Sequence, residues 1–320
     1  MPAGVAIVGA TGLLGTSLAA SLARDGIPVS ALVRDTVHAA ERLPHATLFA
    51  WDATHGPPPE AAFTGVDTVV NLSGEPIDGR WNEKRRKRMR DSRVVGTRAL
   101  VDTLRGLAHR PRLLISASGI HYYGNRGDQI VTESTEGGSS FFAQLARDWE
   151  GEALKAGEAG MRVVLLRSGV VLSRQGGMLR RILPAFRAGL GGRIGTGKQW
   201  MPWIHIEDHV GLIRHAISHE SVAGALNMVA PEPVTNAEFT RAVGEVLGRP
   251  TVLKAPLFAL RVMFGALVDE VMLASVRAMP VRTLETGYIF RHPLLRDALG
   301  NLLGDRRDDV APAPSATSAP

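Results

Sequence analysis

Along the first half of the chain, apolar residues recur in two alternating rhythms. Short unbroken apolar runs at residues 4–8, 29–33, 47–50, 67–72 (DTVVNL), 112–117 (RLLISA) and 161–166 read as six strands. Between them the apolar positions fall at helical spacing, which predicts helices over 13–24, 35–42, 82–108 and 140–156. Strands that are apolar throughout indicate a parallel sheet covered on both faces, because an antiparallel sheet with one wet face would alternate.

After residue 173 the rhythm breaks. Residues 174–200 are rich in Gly and Arg around an apolar helix at 178–186. Residues 203–206 and 225–229 read as short strands, the second rejoining the main sheet. A helix follows at 236–247, capped by Thr235 or Asn236 with Glu238 close behind. Residues 257–273 are apolar and largely helical, and 293–303 form the last ordered element. Residues 305–320 have the Ala/Pro/Ser/Thr composition of a disordered tail.

The first strand runs into Val8-Gly9-Ala10-Thr11-Gly12-Leu13-Leu14-Gly15, and a helical pattern leaves it. Glycines on such a strand-to-helix turn form a dinucleotide-binding fingerprint. Gly9 permits the tight turn, Gly12 lets backbone N–H groups approach a pyrophosphate, and Gly15 lets helix and strand pack closely. The helix N-terminus, with Thr11, Leu13 and Leu14 around it, carries the partial positive charge that holds phosphate. The predicted fold is therefore α/β, a Rossmann-type doubly wound parallel sheet with a smaller mixed C-terminal substrate region. Residues 1–173 make the NAD(P)-binding domain, which 203–230 rejoin. Residues 174–202 and 231–304 make the substrate region and C-terminal module.

Composition adds exclusions. The chain has 320 residues, 45% of them hydrophobic and 21% charged, which suits a globular protein with a sizeable core. It contains no cysteine, so disulfides, thiolate catalysis and Cys-ligated metals are excluded. No apolar run is long enough for a membrane span and no basic-then-apolar leader begins the chain, so a cytoplasmic protein without a membrane role is expected. The net charge of +6 raises the question of nucleic acid. Its densest run, from Arg80 to Arg90 with Arg93 and Arg98 following, reads as a solvated helix face rather than a nucleic-acid patch, since no binding motif accompanies it.

Cofactor choice turns on the end of the second strand, Val33-Arg34-Asp35. An acidic residue closing that strand would hold a ribose 2′-OH and select NAD. Here Arg34 can fork onto a 2′-phosphate, which favours NADP, with NADPH preferred over NADH. Asp35, one step along, is the rival ribose acceptor. The fourth strand closes in Asn71-Leu72-Ser73-Gly74, and the fifth in Ser116-Ala117-Ser118 before Gly119-Ile120-His121-Tyr122-Tyr123-Gly124. Small residues at strand ends clear space beside a cofactor, and Ser or Tyr hydroxyls there can polarise a carbonyl.

These blocks carry a specific resemblance. N-L-S-G-E-P-I followed by R-W, S-A-S-G-I-H-Y-Y-G, L-R-S-G-V-V-L and the long block from Phe186 to Asp208 resemble the extended short-chain dehydrogenase/reductases. Within them, the chain is similar to an atypical group called the epimerase family, or nucleoside-diphosphate-sugar-epimerase-like proteins. P-V-R-T-L-E-T-G-Y-I-F-R-H-P resembles that group's small C-terminal module. The resemblance implies cofactor contacts from Leu72, Ser73, Gly74, Arg93, Ser116 and Arg167, beside the glycine loop and Arg34. It also implies that residues 203–208 (WIHIED) anchor the substrate region.

Active members of the superfamily use a Tyr-x-x-x-Lys pair, in which the lysine lowers the phenol pKa. The tyrosines here are Tyr122, Tyr123 and Tyr288, and none has lysine four residues on; Phe142 and Ala146 take the dyad's places. Two readings stay open. In one, the catalytic hydroxyl has moved, to Tyr123 or Ser118, with Glu133 and Glu150 as weaker acid–base candidates. The protein is then an NADP(H)-dependent oxidoreductase or epimerase acting on a small polar substrate, nucleotide sugars included. In the other, it binds NADP(H) without turnover, as a redox sensor. A metal built from His205, Glu207, Asp208 and His209 is not expected, since neighbours in an extended segment point in opposite directions. The substrate is a small molecule, and the chain is a monomer or homodimer.

Overall fold

A computed structural model describes residues 3–304 apart from 78, 80 and 81. The expected tail at 305–320 lies outside the described residues, as do Arg80 and Trp81. The chain begins β1 (Val5–Val8), α1 (Leu13–Arg24), β2 (Val29–Val33), α2 (Thr36–Arg42), β3 (Ala46–Ala50) and β4 (Thr68–Asn71). It continues through α3 (Glu83–Arg90), a π-helical turn (Asp91–Val95), α4 (Gly96–Gly106), β5 (Leu113–Gly119) and a 3₁₀ turn (Ile120–Tyr123). Then come β6 (Ile130–Val131), α5 (Phe141–Leu154), β7 (Arg162–Ser168), β8 (Val170–Leu172) and α6 (Gly177–Arg187). β9 (Gly192–Ile194), β10 (Trp200–Met201) and β11 (Trp203–His205) precede α7 (Ile206–Ser218) and β12 (Gly224–Met228). The C-terminal part holds β13 (Val234–Thr235), α8 (Asn236–Leu247), β14 (Leu253–Ala255), α9 (Leu257–Phe264) and a second π turn (Val268–Met272). β15 (Arg277–Ala278), α10 (Val281–Glu285) and α11 (Leu295–Leu303) complete it.

The main sheet has seven parallel strands in the order β12-β7-β5-β4-β1-β2-β3. The six apolar runs are its first six strands, and the run near 225–229 joins as the seventh. Both faces are covered. On one side Leu18 and Leu22 of α1, Ala39 of α2 and Leu212 and Ile213 of α7 close over Val5, Ile7 and Ile115. On the other, Leu100, Val101 and Leu104 of α4 and Ala153 of α5 close over Ala6, Val8 and Val69. Each fully buried leucine contributes about 1.5–3 kcal/mol relative to exposure. A third core gathers α6, α8 and α11 around Trp203 and Phe239 in the C-terminal part.

Two departures from the sequence rhythm have local causes. The helix expected over 82–108 is interrupted by the π turn. There, Ser92 Oγ donates to Met89 O and accepts from the Glu75 N–H, so the extra residue is held by the loop after β4. Helix α7 was not foreseen, because it follows β11 with no turn residue between. Its N-cap is His205, whose Nδ1 accepts the Glu207 N–H at 3.1 Å. By contrast α8 begins in a full capping box between Thr235 and Glu238.

The C-terminal segment is stitched to the core through one buried carboxylate. Asp208, fully buried in the first turn of α7, accepts from the Arg291 N–H (2.7 Å), the His292 N–H (2.9 Å) and the Tyr288 hydroxyl (3.1 Å).

Candidate cofactor and substrate site

The strand order reverses between β1 and β4, and ligands of this fold bind outside the carboxyl ends at that point. Gly9 there has φ +76°, and a Cβ on it would lie 2.9 Å from the Leu72 carbonyl. A Cβ on Gly15 would lie 2.5 Å from Gly9 O, so the first turn of α1 rests directly on the loop. Gly12 is different: it is the N-cap of α1, exposed, with no side-chain cap. The first amides of a 12-residue helix are thereby left open to an anion. Leu13 lies under Gly176 and Gly177, so the loop before α6 overhangs the same spot. Backbone packing and open helix end both fit a dinucleotide pyrophosphate.

At the end of β2, Arg34 is exposed and forms no ion pair among the described residues. Asp35 instead caps α2: its Oδ1 accepts the His38 N–H at 3.1 Å and its Oδ2 meets His38 Nδ1 at 2.9 Å. The rival ribose acceptor is thus engaged elsewhere.

Beyond β4, Ser73 Oγ donates to Asn71 Oδ1 at 2.6 Å, and Asn71 donates to Thr97, which also receives the Trp149 indole N–H. The π turn aims Arg93 at this loop. A Cβ on Gly74 would lie 3.0 Å from the Arg93 guanidinium carbon, which stands 5.2 Å from the centre of the Trp149 ring. Burial lowers the Arg93 pKa to about 10, with Glu75 opposing the shift, and the group stays charged at neutral pH. Leu72, Ser73, Gly74 and Arg93 therefore converge beside the glycine loop.

Four other expected residues, at or just after the carboxyl ends of β5 and β7, are buried. Ser116 is fully buried inside the sheet. Arg167, expected at the cofactor, is buried and forks onto Glu150 with two 2.9 Å bonds. Ser118 Oγ donates to the same carboxylate at 2.6 Å. Tyr123 is 0% exposed; its hydroxyl donates to Asn227 Oδ1 at 2.7 Å and accepts from Arg167 at 3.0 Å. Desolvation pushes the Tyr123 phenol up to about 12, against the pull of Arg167. Both hydroxyls proposed as catalytic are buried and hydrogen-bonded within one network. Glu133 belongs to it too, accepting the Asn227 N–H and the Arg282 N–H. Arg126 is turned to the Tyr123 and Glu136 carbonyls rather than to a phenol.

Phe142 is buried on α5 in the dyad tyrosine's place. Two groups on the 3₁₀ turn after β5, His121 and Tyr122, are further candidates. The His121 ring lies 5.9 Å from the Phe142 ring, with its buried Nδ1 unpartnered, and burial lowers its pKa to about 4. The Tyr122 ring stacks under the Arg167 guanidinium, 3.5 Å from its centre. The signal for both was present in the histidine and paired tyrosines after β5, but their orientations depend on α5 and β7. Around them Ile77, Ala117, Met89 and Phe142 form an apolar wall, closed by Phe264 and Leu267 from the C-terminal part.

The basic helix α3 is extensively paired. Arg86 meets Glu270, Lys87 meets Asp91, Arg88 meets Glu75, Arg90 meets Asp148, and Arg85 donates to Pro76 O.

His205, Glu207 and His292 bring ligand atoms within 4.8 Å of one another. Residues 203–209 are not extended throughout as expected, since α7 begins at Ile206, and His292 arrives from far along the chain. The His205 Nδ1 lone pair is taken by the Glu207 N–H, and its ring stacks on His292 at 3.8 Å. The arrangement is a clasp between core and C-terminal segment. A cavity of about 1280 Å³ runs past it between α1 and α7, away from the strand carboxyl ends.

The sequence profile of the NAD dependent epimerase/dehydratase family matches residues 5–228. The chain belongs to that family. A second profile, a domain of unknown function (DUF1731), matches residues 255–302. An epimerase family protein of Mycobacterium leprae is 42% identical over 296 residues, 92% of this chain and 94% of its own length. The crystal structure of human epimerase family protein SDR39U1 with NADPH superposes with a TM-score of 0.82 at 34% identity. It covers 94% of this chain and 99% of the human one. A nucleoside-diphosphate sugar epimerase from Corynebacterium glutamicum gives 0.77 at 33% identity, over 95% of this chain and 59% of its own. This epimerase-family member thus has the Rossmann-type sheet of NAD(P)-dependent enzymes and, among the described residues, no helix long and apolar enough to cross a membrane.

Proposed function

We propose that this protein is an NADP(H)-dependent oxidoreductase or epimerase acting on a small polar substrate, nucleotide sugars included. The observation that carries the cofactor choice is the division of labour after β2, where Asp35 caps α2 and Arg34 stands unpaired at the strand end. The human relative crystallised with NADPH supports the same choice. Bound cofactor supplies or accepts the hydride. The chain's own residues hold the pyrophosphate at α1, place Arg93 over the β4 loop and exclude water with the apolar wall. The substrate oxygen exchanges its proton with Tyr122 or His121, the two partly exposed polar groups of the 3₁₀ turn after β5. At neutral pH His121 is an uncharged imidazole, suited to donating a hydrogen bond to a carbonyl.

The test is NADPH oxidation against a panel of carbonyl compounds and nucleotide sugars, with Tyr122→Phe, His121→Asn and Tyr123→Phe compared. Loss of about 10²–10⁴-fold in one of the first two, at unchanged NADPH affinity, supports the proposal. Such a loss confined to Tyr123→Phe would return the role to Tyr123. A second reading, an NADP(H) sensor without turnover, is favoured by the sequestration of Tyr123 and Ser118. Tight NADPH binding with no turnover across the panel would select it.

A further inference from the structure

The positive charge of this chain has a second location, unlike α3 in its surroundings. Residues 159–206 and 246–268 contain no Asp or Glu, while Arg187, Lys198, Arg249, Lys254 and Arg261 fall within them. The fold brings the two stretches together: β9 pairs with β14 in register Gly192 to Leu253 through Ile194 to Ala255, and Gly189 lies against Pro250. Arg187, Lys198, Arg249 and Lys254 are all exposed there, and no carboxylate pairs with them among the described residues. Only Arg261 has an acidic partner, Asp269.

The same face exposes large apolar side chains. Val252 is 87% exposed, Phe258 81% and Leu190 66%, with Leu253, Val262 and Met263 beside them. Phe258 and Val262, one helical turn apart, share one side of α9, a helix with no buried residue, and Met263 is exposed next to Val262. Folding does not require this exposure, since the opposite edge of the segment already packs through Phe264 and Leu267. Contiguous apolar surface rimmed by cations marks a contact surface.

We infer that the β14–α9 face docks on an anionic lipid bilayer, with Phe258, Val262 and Met263 entering the headgroup boundary and Arg187, Arg249 and Lys254 meeting lipid phosphates. Charge complementarity selects an anionic partner. With one aromatic ring, Phe258, among exposed Val, Leu and Met side chains, the strip favours a bilayer over nucleic acid, whose bases would call for several stacking aromatics. This revises the expectation of no membrane role, although nothing here spans a membrane. The inference does not depend on the proposed catalytic function.

The test is co-sedimentation of the full-length, NADPH-saturated protein with vesicles of phosphatidylcholine alone or with 30% phosphatidylglycerol added. Binding is expected to the anionic vesicles only, and to weaken as salt rises. Arg249→Gln with Lys254→Gln lowers partitioning about thirtyfold. Phe258→Ser with Val262→Ser lowers it at least about tenfold. Circular dichroism and NADPH affinity confirm that both variants remain folded. Absence of vesicle binding overturns the inference, as do equal binding to both compositions and variants that bind like wild type. A 20-base-pair DNA duplex that displaces the vesicles, combined with insensitivity to the serine substitutions, would reassign the face to nucleic acid. A dimer in sedimentation velocity that the serine variant dissociates, with no vesicle binding, would reassign it to a second copy of this chain.

Discussion

Replacing Arg167 by Met distinguishes a structural network from a cofactor contact. Arg167 and Glu150 are 6% and 7% exposed at their side chains, and the fork between them consists of two 2.9 Å bonds. Arg167 also donates to the Tyr123 hydroxyl at 3.0 Å and the Glu133 carbonyl at 3.1 Å. Methionine keeps most of the stem's packing but leaves the Glu150 carboxylate buried without its cation. Removing one partner of a buried pair costs about 3–5 kcal/mol, a large share of the roughly 5–15 kcal/mol that holds a native protein together. Pairing it with Glu150→Met removes the stranded charge as well, and replacing both ions by apolar groups is often neutral. The double variant should therefore be more stable than Arg167→Met alone, with a coupling energy above about 2 kcal/mol. Urea unfolding followed by circular dichroism measures the cycle, and calorimetric titration measures NADPH. Unchanged stability with a large loss of NADPH affinity would refute the reasoning and return Arg167 to the cofactor.

Arg34→Ala should weaken NADPH at least tenfold while sparing NADH, because a charge-assisted contact is worth about 1.5–3 kcal/mol; equal losses by calorimetry would place Arg34 away from the 2′-phosphate. Gly12→Val should abolish NADPH binding in a folded protein, since a Cβ there meets only Gly9 O at 3.2 Å. Gly15→Val should fail to fold, because its Cβ would meet backbone at 2.5 Å, and thermal melts compare the two. Burial lowers His209 and His205 to about 4, so both stay neutral in the folded protein while their unfolded counterparts protonate near 6.5. Their contribution is present above pH 6.5 and is lost as pH falls towards 4, by about 1.4 kcal/mol per pH unit for each histidine. Urea unfolding across that window should show the slope, and His209→Gln should reduce it.

What could be read from the residues was local. The glycine loop is legible because turn, helix start and close packing are set within seven positions, and the six apolar runs because each is buried as a unit. The residues whose surroundings stay hidden in the sequence are those whose partners lie far off along it. Tyr123 looks like a free hydroxyl at a strand end until Asn227, 104 residues later, accepts its hydrogen bond. Arg167 follows the pattern of a cofactor arginine, yet its guanidinium forks onto Glu150, 17 residues earlier. The π turn that aims Arg93 is invisible because its anchor is a backbone N–H 17 residues upstream. Helix α7 went unseen because histidine is a rare N-cap. Asp35 was left ambiguous although its capping partner, His38, is only three residues away.

Asp208 also bears on how the protein is made. Its carboxylate is completed only by residues 288–292, 80 to 84 positions later in the chain. Until that segment leaves the ribosome, a nascent chain already long enough to close the seven-stranded sheet still carries an unmatched negative charge in the first turn of α7. Residues 288–292 thus act as a lock on the first turn of α7, and a chain without them leaves that carboxylate to water.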